Sequence, residues 1–538
     1  EGNCFRSGCS NQVMDPLPQD PILTPSEAIA FEEDYFGGNE DFQWEVINRA
    51  GEAVADSALR DMRELRTIPH RPRLLVLVGK GHNGADSLLA AKRFLRTIPT
   101  ARAVVWQWAP KDDCRPMTQR AFEELIEFAS KRLEIIPSAR GMNQEEMDQT
   151  FYELTKDRGF DLVIDGVLGM QGRPGLESPL DSWIRLFNQT NQIVVRVSVD
   201  MPSGISESLP GETEPFRADF TYCTGIVKTP VLEPFNQPWI GRLRYLDLGF
   251  FKSAEKEKYT KHSKVLCSSA LPLLRKLRPV QCDKRDFGHL LAIVGSRELG
   301  GAALMCARAA LRSGVGLLTC CVPESLHASF VSACPEAMWV PMPETPNGGL
   351  ALEGLGKIRQ SIDHVDAMMV GPGIGSDPES HSLIREACKL FSGSILLDAD
   401  ALRPEIIDSC ENKDRFVLTP HEGELKRISG KKKVEEYLTD FPGVILRKGP
   451  HSQVIFGGSV LHLFSGTSLL ARGGSGDLLS GIIGSLMARG GRSLVDSTAL
   501  GTLWHGRAAE ALARQHGQEA VNTTQILDYL SFALRNDF

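Results

Sequence analysis

The stretch ARGGSGDLLSG, residues 471–481, sets an acid inside a glycine-rich turn directly before an apolar helical run. Leu478, Leu479 and Ile482 recur at helical spacing after the turn, so we expect a helix to begin close to Asp477. Turn glycines let backbone N–H groups approach a ligand closely, and a helix N-terminus adds unpaired donors and the positive end of its dipole. The stretch therefore predicts a phosphate-binding turn.

The acid in this turn has two interpretations. Next to a bound phosphate, Asp477 can take a proton from an attacking hydroxyl, which is the arrangement that a small-molecule kinase requires. Alternatively, the glycines only form the turn and Asp477 only caps the helix. Motifs elsewhere in the chain are needed to distinguish the two interpretations.

Composition restricts the class of protein. A chain of 538 residues with 42% hydrophobic content is expected to form two or more domains. A net charge of −8 argues against general nucleic-acid binding. The 12 scattered cysteines form no CxxC pair, which favours a reducing compartment, and we predict a cytoplasmic location. No apolar run is long enough to span a bilayer, and the first residues lack a signal-peptide core, so no membrane association is expected.

Strand-like and helix-like segments alternate in the first half. A helical pattern at 44–62 precedes the apolar run LLVLV at 74–78, and further strand-like runs follow at 161–169 and 192–200. This alternation predicts a parallel sheet that is covered by helices on both faces.

The turn after the first of these strands contains GxGxxG at Gly79, Gly81 and Gly84. A dinucleotide fingerprint also needs an acid at the end of the next strand, and AVVWQW at 103–108 offers none. The sequence therefore predicts a turn that can bind phosphate, but it does not predict the usual mode of NAD binding.

Polar residues follow three of these strands, namely Asn83 with Asp86, then Asp165, then Asp200 with Ser203. The carboxyl ends of parallel strands meet at one edge of a sheet, where ligands bind. Oxygen atoms of Asn83, Asp165 and Ser203 can hold a hard cation, and Asp200 can act as an acid or base. The alternative is that these residues only cap helices.

The segments VGKGHNGADSLLAAKRF, IDGVLGMQGRPG and VSVDMPSG resemble the epimerase domain of the NAD(P)H-hydrate repair enzymes, over about positions 22 to 250. The resemblance implies interconversion of the R and S epimers of hydrated NADH or NADPH, with Asp200 as the catalytic acid and Asn83, Asp165 and Ser203 as potassium ligands. It implies these contacts to the hydrate: His82, Asn83, Gly84, Ala85, Asp86, Gly169, Met170, Gln171, Gly172, Arg173, Pro174, Gly175 and Asp200.

The turn departs from the usual family sequence GNNGGDG at two of these positions. His82 replaces an asparagine, and Ala85 replaces a glycine where the backbone approaches the ligand. Because of these differences, the alternative remains that the first domain is not catalytic and only binds a nucleotide.

A second alternating series begins at about residue 289, after a charged and irregular segment. Strand-like runs end in GPGIG, DAD, TPH, KGPHS and finally GGSGD, while GGAALMCARAALRSG at 300–314 has helical spacing and a small face. We therefore expect a second α/β sheet, with domains at 1–263 and 264–538.

Each polar strand end in this half also has a structural interpretation. Asp398 and Asp400 can cap a helix, and TPHE is typical of a helix start, which favours a structural or lining role for His421. Lys448 and Ser452 either lie exposed or face nucleotide phosphates. The order of these motifs along alternating strands indicates a ribokinase-like fold.

Together, DFGHLLAIVGSRELGGAALMCARAALRSGVGLLT, GPGIG, LDADAL, LTPHEGE and GGSGDLLSGIIG are similar to the nucleotide-dependent NAD(P)H-hydrate dehydratases, over about positions 285 to 535. The resemblance implies phosphoryl transfer from ADP or ATP to the ring hydroxyl, then loss of phosphate to restore NAD(P)H. It implies hydrate contacts at Ala302, Gly373, His421 and the catalytic Asp477, and nucleotide contacts at Lys448, Gly449, Pro450, His451, Ser452 and Gly476.

The expected fold class is therefore α/β, with an N-terminal Rossmann-like three-layer domain followed by a C-terminal ribokinase-like α/β domain. The expected function is repair of hydrated NAD(P)H, with potassium in the first domain and Mg²⁺ with ADP or ATP in the second. We expect small-molecule substrates and a homo-oligomer. The alternative is a vitamin or sugar kinase of ribokinase-like fold behind a non-catalytic nucleotide-binding domain.

Overall fold

The computed structural model describes residues 16–170, 175–209, 211, 213–251, 259 and 261–535, and the chain divides into two compact units. The N-terminal unit comprises Asp20–Val265 together with Ala513–Ala520, and the C-terminal unit comprises Glu1–Gln19, Leu266–Leu512 and Val521–Phe538. Among the residues described, no helix is both long enough and apolar enough to cross a membrane.

The N-terminal unit contains ten strands and seven helices within its described residues. The strands are β1 Gln19–Leu23, β2 Arg73–Val78, β3 Arg102–Gln107, β4 Leu133–Ile136, β5 Phe160–Gly166, β6 Ile193–Val199, β7 Phe220–Thr224, β8 Val227–Lys228, β9 Arg242–Leu246 and β10 Ser263–Leu266. The helices are α1 Pro25–Phe36, α2 Glu40–Met62, α3 His82–Thr97, α4 Pro116–Ala129, α5 Gln144–Thr155, α6 Leu180–Gln189 and α7 Gln237–Ile240.

Seven of these strands form a parallel sheet in the order β4-β3-β2-β5-β6-β7-β9. Alternate side chains of β2 enter different cores. Leu74 and Val76 pack with α2, α3 and α4, whereas Leu75 and Leu77 pack with α5 and α6. Because both faces of the sheet are buried at its centre, β2 is apolar from Leu74 to Val78, and the predicted three-layer domain is confirmed.

The strand order of this sheet reverses between β2 and β5. The chain continues from β2 to β3 and β4 on one side, then returns to place β5 and β6 on the other. The loops that leave β2 and β5 therefore diverge, and they open a crevice at the carboxyl edge of the sheet. Asn83 lies in the first turn of α3, which follows β2, and Asp165 lies near the end of β5.

The C-terminal unit contributes nine strands to one sheet and contains ten helices within its described residues. The strands are β11 His289–Ile293, β12 Leu317–Pro323, β13 Met338–Met342, β14 Ala367–Val370, β15 Ser394–Leu397, β16 Phe416–Leu418, β17 Val444–Arg447, β18 Ser452–Phe456 and β19 Ser459–Leu463. The helices are α8 Gly300–Arg312, α9 Glu324–Ala333, α10 Leu355–Ser361, α11 Pro378–Leu390, α12 Pro404–Ile407, α13 Glu422–Ser429, α14 Val434–Asp440, α15 Ser475–Arg489, α16 Leu494–His516 and α17 Ile526–Arg535.

These nine strands lie in the order β13-β12-β11-β14-β15-β16-β17-β18-β19. All pairs from β13 to β17 are parallel, and β17, β18 and β19 form antiparallel hairpins. The carboxyl ends of β14 to β17 therefore lie along one edge, as the predicted ribokinase-like domain requires. The predicted fold class is confirmed.

Helix α15 is held close to both α8 and the sheet by two glycines. A Cβ at Gly481 would lie 2.4 Å from the Cys306 carbonyl oxygen, and one at Gly484 would lie 3.2 Å from a methyl carbon of Leu290. The helix begins at Ser475, so Asp477 lies in its first turn as predicted. This packing fixes the position of the acid.

Candidate functional sites

The carboxylate of Asp165, at the end of β5, is fully engaged by hydrogen-bond donors. Oδ1 accepts bonds from the Ser203 hydroxyl at 2.6 Å and the Val167 amide at 3.2 Å. Oδ2 accepts bonds from the Ser203 amide at 2.8 Å and the Ser198 hydroxyl at 2.9 Å. Burial raises the pKa of Asp165, and these hydrogen bonds counteract only part of that shift.

Asn83, in the first turn of α3, joins the same network. Its Nδ2 donates to the carbonyl oxygens of Leu168 at 3.1 Å and Val199 at 3.0 Å, and the Leu168 amide donates to Ser203 Oγ at 2.9 Å. A Cβ at Gly169 would lie 2.7 Å from Asn83 Oδ1, so a side chain there would displace the amide. The structure thus brings together the three predicted potassium ligands, Asn83, Asp165 and Ser203.

A cavity of about 340 Å³ opens beside this network. Four of the predicted hydrate contacts line it, namely His82, Asn83, Gly169 and Met170. Burial, and secondarily the charge of Arg115, lowers the pKa of His82, so its imidazole is mainly neutral at pH 7.

The next predicted contacts lie within α3 and are buried. A Cβ at Gly84 would lie 2.4 Å from the Gly79 carbonyl oxygen, so this glycine permits close packing of the turn. Ala85 is fully buried in the core between α3 and the sheet, so its methyl group does not narrow the cavity. Asp86 is also buried, at 7% exposure. In the loop after β5, Gly175 has a φ of 77°, whereas Gln171, Gly172, Arg173 and Pro174 lie outside the described residues.

Asp200 follows β6 in a left-handed backbone conformation, with φ of 66°. Its Oδ1 accepts a hydrogen bond from Lys228 Nζ, and the two residues are only 3% and 1% exposed. Burial lowers the pKa of Lys228, but attraction to Asp200 and Glu32 outweighs it, so the net shift is upward and the lysine stays charged. Among the described residues, neither Asp200 nor Lys228 lines the cavity.

Two further carboxyl groups, those of Asp86 and Glu32, interact electrostatically with this ion pair. Burial, reinforced by the charges of Asp200 and Glu32, raises the pKa of Asp86 well above its usual range, so Asp86 stays protonated. Burial also raises the pKa of Glu32 to about 7, against the attraction of Lys228 and with a smaller contribution from Asp200. Sequence reasoning missed both Lys228 and Glu32, although Lys228 lies in the segment ADFTYCTGIVKT, residues 218–229, which is part of the region that resembles the epimerase domain.

The C-terminal site centres on Asp398, which follows β15 and is 2% exposed. Its Oδ1 accepts bonds from Lys448 Nζ and the Thr419 hydroxyl, both at 2.8 Å, and its Oδ2 accepts one from the Ser480 hydroxyl at 2.7 Å. Burial favours the protonated carboxyl, but Lys448 and the two hydroxyls more than compensate and lower the pKa of Asp398. Asp398 is therefore an ionised anchor for Lys448.

Asp477 lies close to this ion pair, in the first turn of α15. Gly474 is the N-cap of the helix, with φ of 87°, and no side chain in the described part of the chain caps this end. The first-turn amides are therefore available to a ligand. Burial and the charge of Asp398 raise the pKa of Asp477 to about 6, although Lys448 opposes the shift. Asp477 is thus mostly ionised at neutral pH and can accept a proton.

The predicted nucleotide contacts share this region. A Cβ at Gly476 would lie 3.6 Å from Lys448 Nζ, so the glycine turn and the lysine face each other closely. The loop from β17 to β18 carries Gly449, Pro450 and His451, and the remaining contact, Ser452, is the first residue of β18. Ser452 Oγ donates to the Gly449 carbonyl at 3.4 Å, and burial lowers the pKa of His451 to about 4.

Besides Asp477, the predicted hydrate contacts of this unit are Ala302, Gly373 and His421. Gly373 has a φ of 68°, and a Cβ there would lie 2.9 Å from that of Ala302, so these two residues are adjacent. His421 caps α13, because its Nδ1 accepts bonds from the amides of Gly423 at 3.0 Å and Glu424 at 3.3 Å. The side chain of His421 is 61% exposed, so its capping role leaves part of the ring accessible.

The fold and the two sites define a class of protein. One unit carries a cavity lined by two glutamates beside the hydrogen-bonded network of Asp165. The other carries a glycine turn with Asp477, close to the ion pair of Lys448 and Asp398. Such a pairing is typical of a two-domain α/β enzyme that acts on a nucleotide-like small molecule.

Comparisons with known proteins are specific. Residues 44–230 match the family model described as the YjeF-related protein N-terminus, and residues 290–531 match the one described as NAD(P)H-hydrate dehydratase. The bifunctional NAD(P)H-hydrate repair enzyme Nnr of Gloeobacter violaceus is 32% identical over 480 residues, which cover 83% of this chain and 85% of the relative. The chain belongs to the family of bifunctional NAD(P)H-hydrate repair enzymes.

Two other proteins show the extent of the similarity. The enzyme of the same name from Moorella thermoacetica is 29% identical over 512 residues, which cover 91% of this chain and 92% of the relative. A solved ADP/ATP-dependent NAD(P)H-hydrate dehydratase from Bacillus subtilis is 23% identical, covers 50% of this chain and 96% of its own length, and has a TM-score of 0.43.

Proposed function

We propose that this chain repairs hydrated NADH and NADPH. Residues 1–263 interconvert the R and S epimers, and residues 264–538 dehydrate the S epimer with ADP or ATP. The observation that carries the proposal is the grouping of Asp477, Lys448 and Asp398 at one glycine-lined helix start. Family membership supports both activities, and the vitamin or sugar kinase alternative is not favoured because relatives along nearly the whole chain are hydrate repair enzymes.

In the dehydratase domain, we assign Asp477 as the base. It takes the proton from the ring hydroxyl while that oxygen attacks the terminal phosphorus of the nucleotide and the nucleotide leaves. The carbon–oxygen bond to the resulting phosphate ester then breaks, phosphate leaves with the bonding electrons, and the neighbouring ring carbon loses a proton to solvent, which restores the ring double bond. Lys448 and the first-turn amides of α15 hold the phosphates, and Ala302, Gly373 and His421 contact the hydrate.

Mg²⁺ bound with the nucleotide would neutralise the phosphate charge in this site. The residues present suit an ion that the nucleotide itself carries. Asp398 is committed to Lys448, Thr419 and Ser480, so it has little capacity left for a metal. Mg²⁺ commonly keeps several waters and binds through substrate phosphates, which agrees with this arrangement.

In the epimerase domain, we assign potassium to the network of Asn83, Asp165 and Ser203. The donor set fits a hard cation, because the carbonyl oxygens of Leu168 and Val199 also converge on the Asn83 amide. The Asn83 nitrogen faces those carbonyls, so an ion there would require the amide to turn its oxygen inward. Asp200 serves as the catalytic acid of this domain, and Lys228 Nζ donates a hydrogen bond to its Oδ1.

The decisive experiment incubates the full chain with separated R and S epimers. Without nucleotide, chromatography should show exchange between the epimers, faster in potassium than in tetramethylammonium. With the S epimer and ADP or ATP in turn, the absorbance of the reduced cofactor should return together with free phosphate. A stable phosphorylated product would instead identify a kinase.

We also propose a cytoplasmic location and a homo-oligomeric state. The cysteines of the described segments are free, and all except Cys282 are buried, which suits a reducing compartment. Fractionation of the source cells tests the location. Size-exclusion chromatography with light scattering tests the oligomeric state, and a mass of one chain would exclude the oligomer.

A further inference from the structure

We infer that Glu32, on helix α1, is a second catalytic acid of the epimerase site, an assignment that rests on the proposed epimerase function. Glu32 lines the same cavity as Asn83 and Gly169. In the described chain, Asp200 lies behind the cavity wall, bonded to Lys228. Among the described residues, Glu32 and the more exposed Glu33 are the carboxyl groups that line the cavity, so a ligand there can reach Glu32 directly.

Helix α1 holds Glu32 in this position. Thr24 and Glu27 form a capping box at the start of the helix, with the Glu27 amide donating to Thr24 Oγ1 at 3.2 Å. Ala28, one turn before Glu32, is fully buried, and the neighbouring Phe31 packs with Phe251 at a ring distance of 4.8 Å. Because residues four apart share a helix face, this packing directs Glu32 inward.

The charges around Glu32 suit a group that both gives and takes a proton. Lys228 favours its carboxylate form, whereas burial and Asp200 favour its protonated form. Three more titratable or charged side chains line the cavity, Glu33, His82 and Arg115. Asp86, on α3, is buried and is not among the described residues that line it. The balance leaves the pKa of Glu32 near 7, where a general acid and base is most effective.

The proposed step is balanced in protons and electrons. Hydration places the hydroxyl on the ring carbon next to the ring nitrogen. Glu32 gives its proton to that hydroxyl, the carbon–oxygen bond breaks, and the nitrogen lone pair forms a carbon–nitrogen double bond as water leaves. Water then adds to either face of the ring, the double-bond electrons return to nitrogen, and the lost proton returns to the Glu32 carboxylate.

The test compares Glu32→Gln and Glu32→Asp with the parent chain. Glu45→Gln is the matched control, because it removes the same charge from the neighbouring helix α2 at an exposed position. Epimer exchange is measured from pH 5 to 9, affinity for the hydrate is measured by calorimetry, and dehydratase turnover in the same chain reports folding. Glu32→Gln should lower exchange about 100-fold with affinity changed less than about threefold.

The pH profile separates a catalytic role from a structural one. In the parent, exchange should decline above about pH 7 as Glu32 loses its proton. In Glu32→Gln the decline of exchange above about pH 7 should be absent. Glu32→Asp should restore a part of the rate. Unchanged exchange in Glu32→Gln would overturn the role of Glu32 while epimerisation by the parent still stood. A parent that exchanges no epimers would instead overturn the proposed epimerase function.

Discussion

Lys448 Nζ lies 2.8 Å from Asp398 Oδ1, and this ion pair faces the glycine turn that carries Asp477. The pair links the ends of two strands, β15 and β17, which are separated in the sheet by β16. It fixes a positive charge where nucleotide phosphates are proposed to bind, and it modulates the proton affinity of Asp477.

Lys448→Met should destabilise the C-terminal domain by about 3–5 kcal/mol, because it leaves the Asp398 carboxylate buried without its partner. Urea unfolding followed by fluorescence measures the change. Lys426→Met is the control, since the Lys426 side chain is 67% exposed and lies 3.7 Å from Glu422. The control should change stability by less than about 0.5 kcal/mol. Equal effects of the two substitutions would contradict the importance of the buried pair.

Asp477→Ala should reduce dehydration of the S epimer by about 10²- to 10⁴-fold, because no other group is assigned to accept the hydroxyl proton. Epimer exchange in the same chain should not change. Asp528→Asn, at a side chain that is 61% exposed, provides the control for loss of an acid in this domain. Retained dehydration in Asp477→Ala would refute the base role.

The dehydratase reaction should depend on the ionisation of Asp477, whose pKa is about 6. Only the carboxylate accepts a proton, so kcat/KM should be nearly constant above pH 7 and should decrease with falling pH below about 6. The opposite slope, with activity rising as the pH falls through 6, would show that Asp477 acts in its protonated form. Initial rates at saturating nucleotide measure this profile.

Gly373→Ala should destabilise the C-terminal domain by about 1–3 kcal/mol, because a side chain is strained at φ of 68°. The new Cβ would also lie 2.6 Å from the Leu299 carbonyl oxygen, so hydrate affinity should fall. Gly356→Ala is the matched control, since a Cβ at Gly356 in α10 meets nothing within 4 Å in the described structure. Thermal unfolding should show the control to be neutral or slightly stabilised.

Asp200→Asn should abolish epimer exchange and leave dehydration intact. The substitution removes the proposed acid and also leaves the Lys228 ammonium without its anionic partner, so urea unfolding of the N-terminal domain should shift by about 3–5 kcal/mol. Asp148→Asn, at an exposed position on α5, is the control. Normal exchange in Asp200→Asn would refute the assignment.

Several features of this protein could be predicted from the sequence because they are local. Alternating apolar strands and helices specify one parallel and one mainly parallel sheet, since burial of both sheet faces needs that pattern. The glycine turn before Asp477 places an acid in the first turn of α15 within a few residues of chain. The TPHE segment likewise makes His421 a helix cap.

Other features were decided only by the tertiary structure. The Asp200–Lys228 pair joins residues 28 apart in the chain, and the Asp398–Lys448 pair joins residues 50 apart. Glu32 reaches the epimerase cavity from a helix whose sequence indicates a capping box but no catalytic motif.

The sequence by itself therefore determined which residues form each turn, strand end and helix start, because a few neighbouring residues fix local backbone conformation. Only the tertiary structure decided which charges meet, because strand order and burial set the distances and solvation that govern ion pairs and pKa values.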